Sequence, residues 1–327
     1  MTYIAAQYRS LRASLNLSGK SPVRVRTNIY IIFTRSKWIL GYLIFTTLLW
    51  SLSFSLIGVY LAGQVDSYVS VLVRVALAAL VFLPFLRPSR LSRSEITQLL
   101  VIGGVQLGLM YIFYYQSFLL LTVPEVLVFT VFTPIYVTLI NDALNRQFNP
   151  WYLLSALIAV FGALVIRYDS LSQDFLLGFL VVQCSNLCFA FGQVAYKHFK
   201  ESRPNVNQRD IFGWFYIGAM IVATIAWMIW GKAELPTGSV QIGVLLWLGI
   251  VASGLGYFLW NRGASQVDAG YLAIMNNALI PAGLIVNVAI WNREEDLLRL
   301  SIGGVIILLA LVVHAKVKQR SSQQAIA

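Results

Sequence analysis

The sequence predicts an all-α integral membrane protein. Ten transmembrane helices are expected, as two inverted five-helix repeats with both termini cytoplasmic. Three observations lead there. The chain of 327 residues is 58% hydrophobic and only 11% charged, and its mean hydropathy is +0.74, far from a soluble composition. Ten apolar stretches fill positions 38 to 316, each near the roughly 20 residues that cross about 30 Å of hydrocarbon. Basic residues gather in alternate connections, as the positive-inside rule requires.

The spans are read near 38–61, 67–86, 96–117, 122–141 and 150–167, then 175–197, 210–230, 239–260, 267–291 and 300–316. Connections between them are short, so almost no chain is left for a soluble domain. Starting inside, the cytoplasmic segments carry Arg9, Arg12, Lys20, Arg24, Arg26, Arg35 and Lys37, then Arg87, Arg90 and Arg93, then Arg146. Lys197, Lys200, Arg203 and Arg209 follow, then Arg262, then Lys316, Lys318 and Arg320. The outer loops hold Arg167, Lys232, Arg293 and Arg299. The net charge of +11 therefore sets topology and suits acidic lipid headgroups. It does not indicate nucleic acid.

Residues 1–37 are basic without acidic residues and lack a signal-peptide cleavage pattern. They read as a cytoplasmic arm, more simply disordered than lying on the membrane along Asn28–Phe33. Residues 317–327 read as a cytoplasmic tail. Cys184 and Cys188, the only cysteines, sit one turn apart inside the sixth span and read as packing, since a metal site needs more ligands. His198 and His314 lie at helix ends, far apart in sequence. With no phosphate loop and no metal-ligand cluster, no cofactor, no metal and no nucleotide-driven pump is expected, and the chain does not read as an enzyme.

The chain divides near Asp169–Asp174 into halves 38–168 and 169–316. Five spans per half force the second half to enter the membrane upside down, and such repeats place substrate near the midplane between them. The fourth and ninth spans carry mid-span prolines, Pro134 and Pro281, each removing a backbone donor and kinking its helix. The third and eighth share glycines, at Gly103, Gly104 and Gly108 and in Ala252-Ser-Gly-Leu-Gly256, where helices approach closely. Both then run into aromatic stretches.

These features resemble the drug/metabolite transporter superfamily over about residues 38–316. The resemblance rests on the five-plus-five arrangement, on Val73-Arg74-Val-Ala-Leu-Ala-Ala-Leu in the second span, and on the paired prolines. Its carboxylate, amino-acid and amine carrier group is the nearer match, through Tyr60-Leu-Ala-Gly-Gln-Val-Asp-Ser-Tyr68, Ile166-Arg-Tyr-Asp169, Val251-Ala-Ser-Gly-Leu-Gly-Tyr257 and Gln266-Val-Asp-Ala-Gly270. The resemblance implies import of biotin, or a similar small carboxylate, across a bacterial inner membrane. It does not cover residues 1–37.

Two charges sit inside spans. Arg74 lies about 10 Å below the outer surface, where a guanidinium is costly unless it faces the bundle interior, pairs or snorkels. Two readings stand: a fork for a substrate carboxylate, or a structural partner of Glu125 or of backbone carbonyls. Glu125, just after Pro124, reads equally as a helix-dipole residue and as a proton-coupling or gating carboxylate.

Neutral candidates surround them. Gln183, Asn186, Ala190 and Gln193 share one face of the sixth span. Thr46, Trp50 and Ser53 share one face of the first. Asn276 and Asn277 precede Pro281. Amides at such positions suit a ureido group, while Trp50, Tyr111, Tyr115, Tyr257 and Trp260 offer flat walls for a ring. Interfacial belts and helix–helix glue are the rival roles for these residues. Trp214, Tyr216, Trp227 and Trp230 read as belt and lipid-facing. The expected function is a secondary carrier working by alternating access on one small-molecule substrate. The alternatives are an exporter of amino acids or drugs on the same fold and, further off, a membrane-embedded enzyme.

Overall fold

The computed structural model describes residues 22–87, 91–144, 146, 173–267 and 269–291, with isolated positions at 158, 161, 165, 298 and between 301 and 316. For 22–40, 173 and 269–274 it describes the backbone only. Eight helices follow one another: α1 (Pro22–Tyr60), α2 (Ser67–Phe85), α3 (Arg93–Ser117), α4 (Val123–Leu144), α5 (Gln173–Ser202), α6 (Gln208–Trp230), α7 (Ser239–Ala264) and α8 (Ala269–Trp291). No strand occurs among the described residues. Seven of the helical segments are long and apolar enough to cross a membrane. Leu48, Leu80, Leu180 and Met228 point outward, each at least 59% exposed, as a lipid-facing surface requires and a soluble one forbids.

These are eight of the ten expected spans. The fifth, the tenth, the junction between the halves, residues 1–21 and the tail lie outside the described residues, isolated positions apart. One expectation is corrected. Pro22 opens a helix of 39 residues that runs unbroken into the first span, so residues 22–37 are not a disordered arm. Proline suits that first turn because its missing N–H would be unpaired there in any case.

Local chemistry sets the helix starts. Asp66 caps α2 by accepting from Val69 N at 2.8 Å, and its other carboxylate oxygen accepts from Lys232 N at 3.2 Å, tying α2 to the connection before α7. Ser92 with Glu95 and Thr122 with Glu125 form capping boxes on α3 and α4, each satisfying donors that a helix start leaves open.

Two helices change pitch midway. α3 is π-helical over Gly104–Leu109 and α7 over Trp247–Leu255. Wide turns of this kind are rare and cluster at functional sites. Glycine lets both pack against neighbours: a Cβ on Gly103 would lie 2.4 Å from Phe215 Cα, and one on Gly249 would lie 2.6 Å from Leu77 Cβ. The π segment of α3 packs on α6, and that of α7 packs on α2. The same reciprocity runs through the bundle, with α1 on α8 and α4 on α5, while α2 and α6 meet each other.

The π turn of α7 displaces carbonyls from the helical ladder, and side chains from other helices take them up. Trp50 Nε1 donates to Ala252 O at 2.9 Å. The Tyr216 hydroxyl donates to Ser253 O at 2.7 Å. Tyr216 is fully buried, which corrects its reading as lipid-facing. Trp214 is half-buried, and only Trp227 and Trp230 of that group are exposed.

Candidate functional site

A cavity opens where these helices converge. Its free space, open mouth included, is about 730 Å³. α1, α2, α3, α4, α5, α7 and α8 all line it.

Arg74 is its charge. The side chain is 2% exposed. Nε donates to Ser253 Oγ at 2.5 Å and Nη1 to the Tyr115 hydroxyl at 3.4 Å. The guanidinium carbon sits 4.1 Å from the Tyr111 ring centroid. Cation–π contact and neutral hydrogen bonds hold the group while leaving most of its N–H fork unengaged. Among the described residues no carboxylate pairs with it. The pairing with Glu125 considered from the sequence is not formed. Glu125 is instead the N3 residue of the α4 capping box: one carboxylate oxygen accepts from Thr122 N at 2.8 Å and from Thr122 Oγ1 at 2.9 Å. It stands off the cavity wall.

Aromatic rings form much of the remaining wall. Trp50 lies with its ring centroid 4.6 Å from that of Tyr257 and 4.9 Å from that of Trp260. Phe189 closes the group at 6.0 Å from Trp50 and Tyr257. Tyr111 bridges to Arg74, its centroid 5.8 Å from that of Tyr257.

Of the residues singled out in the sequence, Arg74, Trp50, Ser53, Tyr111, Asn186, Tyr257, Trp260 and Asn276 line this cavity. Tyr115, Gln183 and Asn277 do not. Tyr115 stands behind Arg74 as a hydrogen-bond acceptor. Gln183 accepts from Asn186 Nδ2 at 3.1 Å and from the Tyr136 hydroxyl at 3.2 Å, orienting the amide that does reach the wall. Asn277 is Asn276's neighbour, half-buried beside the cavity.

The two prolines behave differently. A 3-10 turn over Thr130–Phe132 precedes Pro134, with Thr133 N bonded to Thr130 O. The Phe129 carbonyl, freed from the ladder, accepts from Asn186 Nδ2 at 2.8 Å. That break presents Thr130 and Thr133 to the cavity. Pro281 lies inside α8, which stays helical on both sides of it.

Sequence reasoning missed Thr47, Thr130, Thr133, Ser185 and Phe189 on the wall, and Ser253 behind it. Phe189 had a usable signal, since it lies one turn from Asn186 on the same helix face. Ser253 had none, because nothing in Ala252-Ser-Gly-Leu-Gly256 announces a π turn.

Residues 37–168 match the EamA-like transporter family. The chain is 52% identical over 286 residues to a biotin transporter of Escherichia coli (strain K12), covering 86% of this chain and 95% of that protein. It is 51% identical over 275 residues to a probable biotin transporter of Pseudomonas aeruginosa, covering 84% and 96%. A biotin transporter of Salmonella typhimurium is 51% identical over 286 residues. One crystal structure superposes with a TM-score of 0.60 over 88% of this chain and 98% of its own, at 17% identity. That likeness is one of fold alone.

Proposed function

The chain belongs to the EamA-like transporter family, a family of transporters rather than enzymes, and from that premise we propose that it imports biotin across a bacterial inner membrane. One observation carries the reading. Arg74 is a buried, aromatic-seated cation without a carboxylate partner among the described residues, facing a cavity whose walls include Trp50, Tyr257, Trp260 and Phe189. An unpaired guanidinium in a low-dielectric wall is suited to an incoming carboxylate. The rings beyond it suit a compact bicycle, and Asn186 and Asn276 offer amide groups to its urea. Tyr115, Gln183 and Asn277 serve that site from behind.

The carrier works by alternating access between two inverted halves, 38–168 and 169–316, in a ten-helix bundle with cytoplasmic termini. The reciprocal packing of α1 on α8, α4 on α5, and each π segment on the other half's second helix supports that arrangement.

Biotin is an anion at neutral pH, and an inside-negative membrane opposes its import by about 2.3 kcal/mol per 100 mV. Glu125 is the coupling carboxylate in this reading. Its carboxylate holds the Thr122 donors at the start of α4, the helix whose Thr130 and Thr133 line the cavity. Uptake of labelled biotin into cells lacking their own transporter is the test. No uptake above empty vector overturns the proposal.

A further inference from the structure

The bundle buries a second polar cluster that the cavity does not use. Gln106, in the π turn of α3, lies against Gly192 of α5. A Cβ on Gly192 would come 2.1 Å from Gln106 Cβ, so glycine is required there. Gln106 Nε2 donates to Asn261 Oδ1 at 3.4 Å, and Asn261 follows the cavity residue Trp260. Gln193 adjoins Gly192 and lies one turn past Phe189 on the same face of α5. Tyr196 stands almost one turn further. All four side chains are at most 3% exposed.

Their hydrogen bonding is incomplete. Among the described residues Gln106 Oε1, both amide atoms of Gln193 and the Tyr196 hydroxyl have no partner. Unpaired polar atoms in a dry interior cost stability, and native structures bury few of them. Here Gln193 and Tyr196 stand within one turn of each other on α5, with Gln106 of α3 against the adjoining Gly192, between the cavity wall at Phe189 and Lys197, whose ammonium donates to Val267 O at 3.3 Å. A cluster so placed makes physical sense if another conformation wets it or fills it.

We propose that Gln106, Gln193, Tyr196 and Asn261 form an inward station of the transport path, closed in this conformation. The station takes the neutral, urea-like head of the cargo after it leaves the cavity. The chemistry selects that head: glutamine amides and a phenol supply both donors and acceptors, and none of the four is charged. The inference rests on the reading of the chain as a biotin carrier.

The experiment separates binding from movement, using purified wild type and Gln193→Leu with biotin as the probe. The variant should bind biotin within about twofold of wild type yet transport it about tenfold more slowly in liposomes, the factor that one lost hydrogen bond carries. A second variant, Gln193→Cys with Cys184 and Cys188 replaced by serine, serves if the first does not fold. In inside-out vesicles biotin should raise its labelling by a membrane-impermeant maleimide.

Transport by Gln193→Leu at the wild-type rate overturns the station. So does loss of binding, which would put Gln193 in the cavity site or the fold. Equal labelling of Gln193→Cys with and without biotin overturns it too. Failure of wild type to bind biotin overturns the functional reading, and the station with it.

Discussion

Arg74 and Tyr111 form one unit: the guanidinium carbon lies 4.1 Å from the ring centroid, and the tyrosine hydroxyl is 2.7 Å from the Ser253 Oγ that accepts from Arg74 Nε. Helices α2, α3 and α7 thus meet at a single cation. The ring and the hydroxyls hold its charge without neutralising it, so an anionic partner gains the full interaction when it arrives.

That arrangement predicts a charge-specific loss. Arg74→Ala should weaken biotin binding by about ten- to a hundredfold, the worth of a charge-assisted hydrogen-bond pair. Arg74→Lys should recover part of it, since an ammonium keeps the charge but loses the fork. Biotin amide, which lacks the carboxylate, should bind wild type weakly and lose little more in Arg74→Ala. Equal wild-type affinity for acid and amide would remove Arg74 as the anchor. Equilibrium binding in detergent measures all of these.

The wide turn of α7 makes a second prediction. Tyr216→Phe deletes the donor that reaches Ser253 O and Gly254 O. Leaving buried carbonyls short of a partner costs about 1–3 kcal/mol, so the Tm in detergent should fall. Biotin affinity should fall with it, because Ser253 seats Arg74. Trp227→Phe, at a side chain 41% exposed, should leave both unchanged.

Charge, aromatic and amide side chains were legible in the sequence because each is costly or conspicuous inside an apolar span. Arg74, Trp50 and Asn186 stood out for that reason. Helix pitch was not legible. Gly104–Leu109 and Trp247–Leu255 read as ordinary span interior, because apolar residues on every side erase the periodicity that would reveal a wider turn. Tyr216 was misplaced for a related reason, since only the displaced carbonyls of α7 explain why a tyrosine turns inward. Glu125 was ambiguous as a pattern, and its capping role follows from the Thr122 geometry. The helical run from Pro22 is not decided by the sequence, because a basic, mixed segment carries no clear hydropathy period beyond the short stretch Asn28–Phe33.

Helix contacts give a third prediction. A Cβ on Gly103 would lie 2.2 Å from the Phe215 carbonyl oxygen, and one on Gly218 would lie 2.0 Å from that of Leu100. Backbone cannot yield as a side chain does, so α3 and α6 must separate. Gly103→Ala and Gly218→Ala should each cost more than about 1–3 kcal/mol and lower membrane abundance on immunoblots. Gly243→Ala meets nothing within 4 Å. It should be neutral, or stabilising by up to about 1 kcal/mol through helix propensity.

The α4 capping box allows coupling and structure to be separated. Glutamine also serves at the N3 position of a capping box, so Glu125→Gln keeps an acceptor for Thr122 N while removing the protonatable carboxylate. The variant should therefore fold, with a Tm near wild type and unchanged biotin binding at neutral pH. If Glu125 couples transport to protons, wild-type uptake should accelerate when the outside is acidified, and Glu125→Gln should be indifferent to the gradient. The sign follows from the charge: a proton taken from the acidified outside travels with the anionic cargo down its own gradient, while a glutamine has no proton to take up. Glu125→Ala, which removes the cap as well, should instead lower the Tm, since losing such a cap costs about 0.5–2 kcal/mol. Uptake by Glu125→Gln that responds to the gradient as wild type does would leave Glu125 as a cap and nothing more.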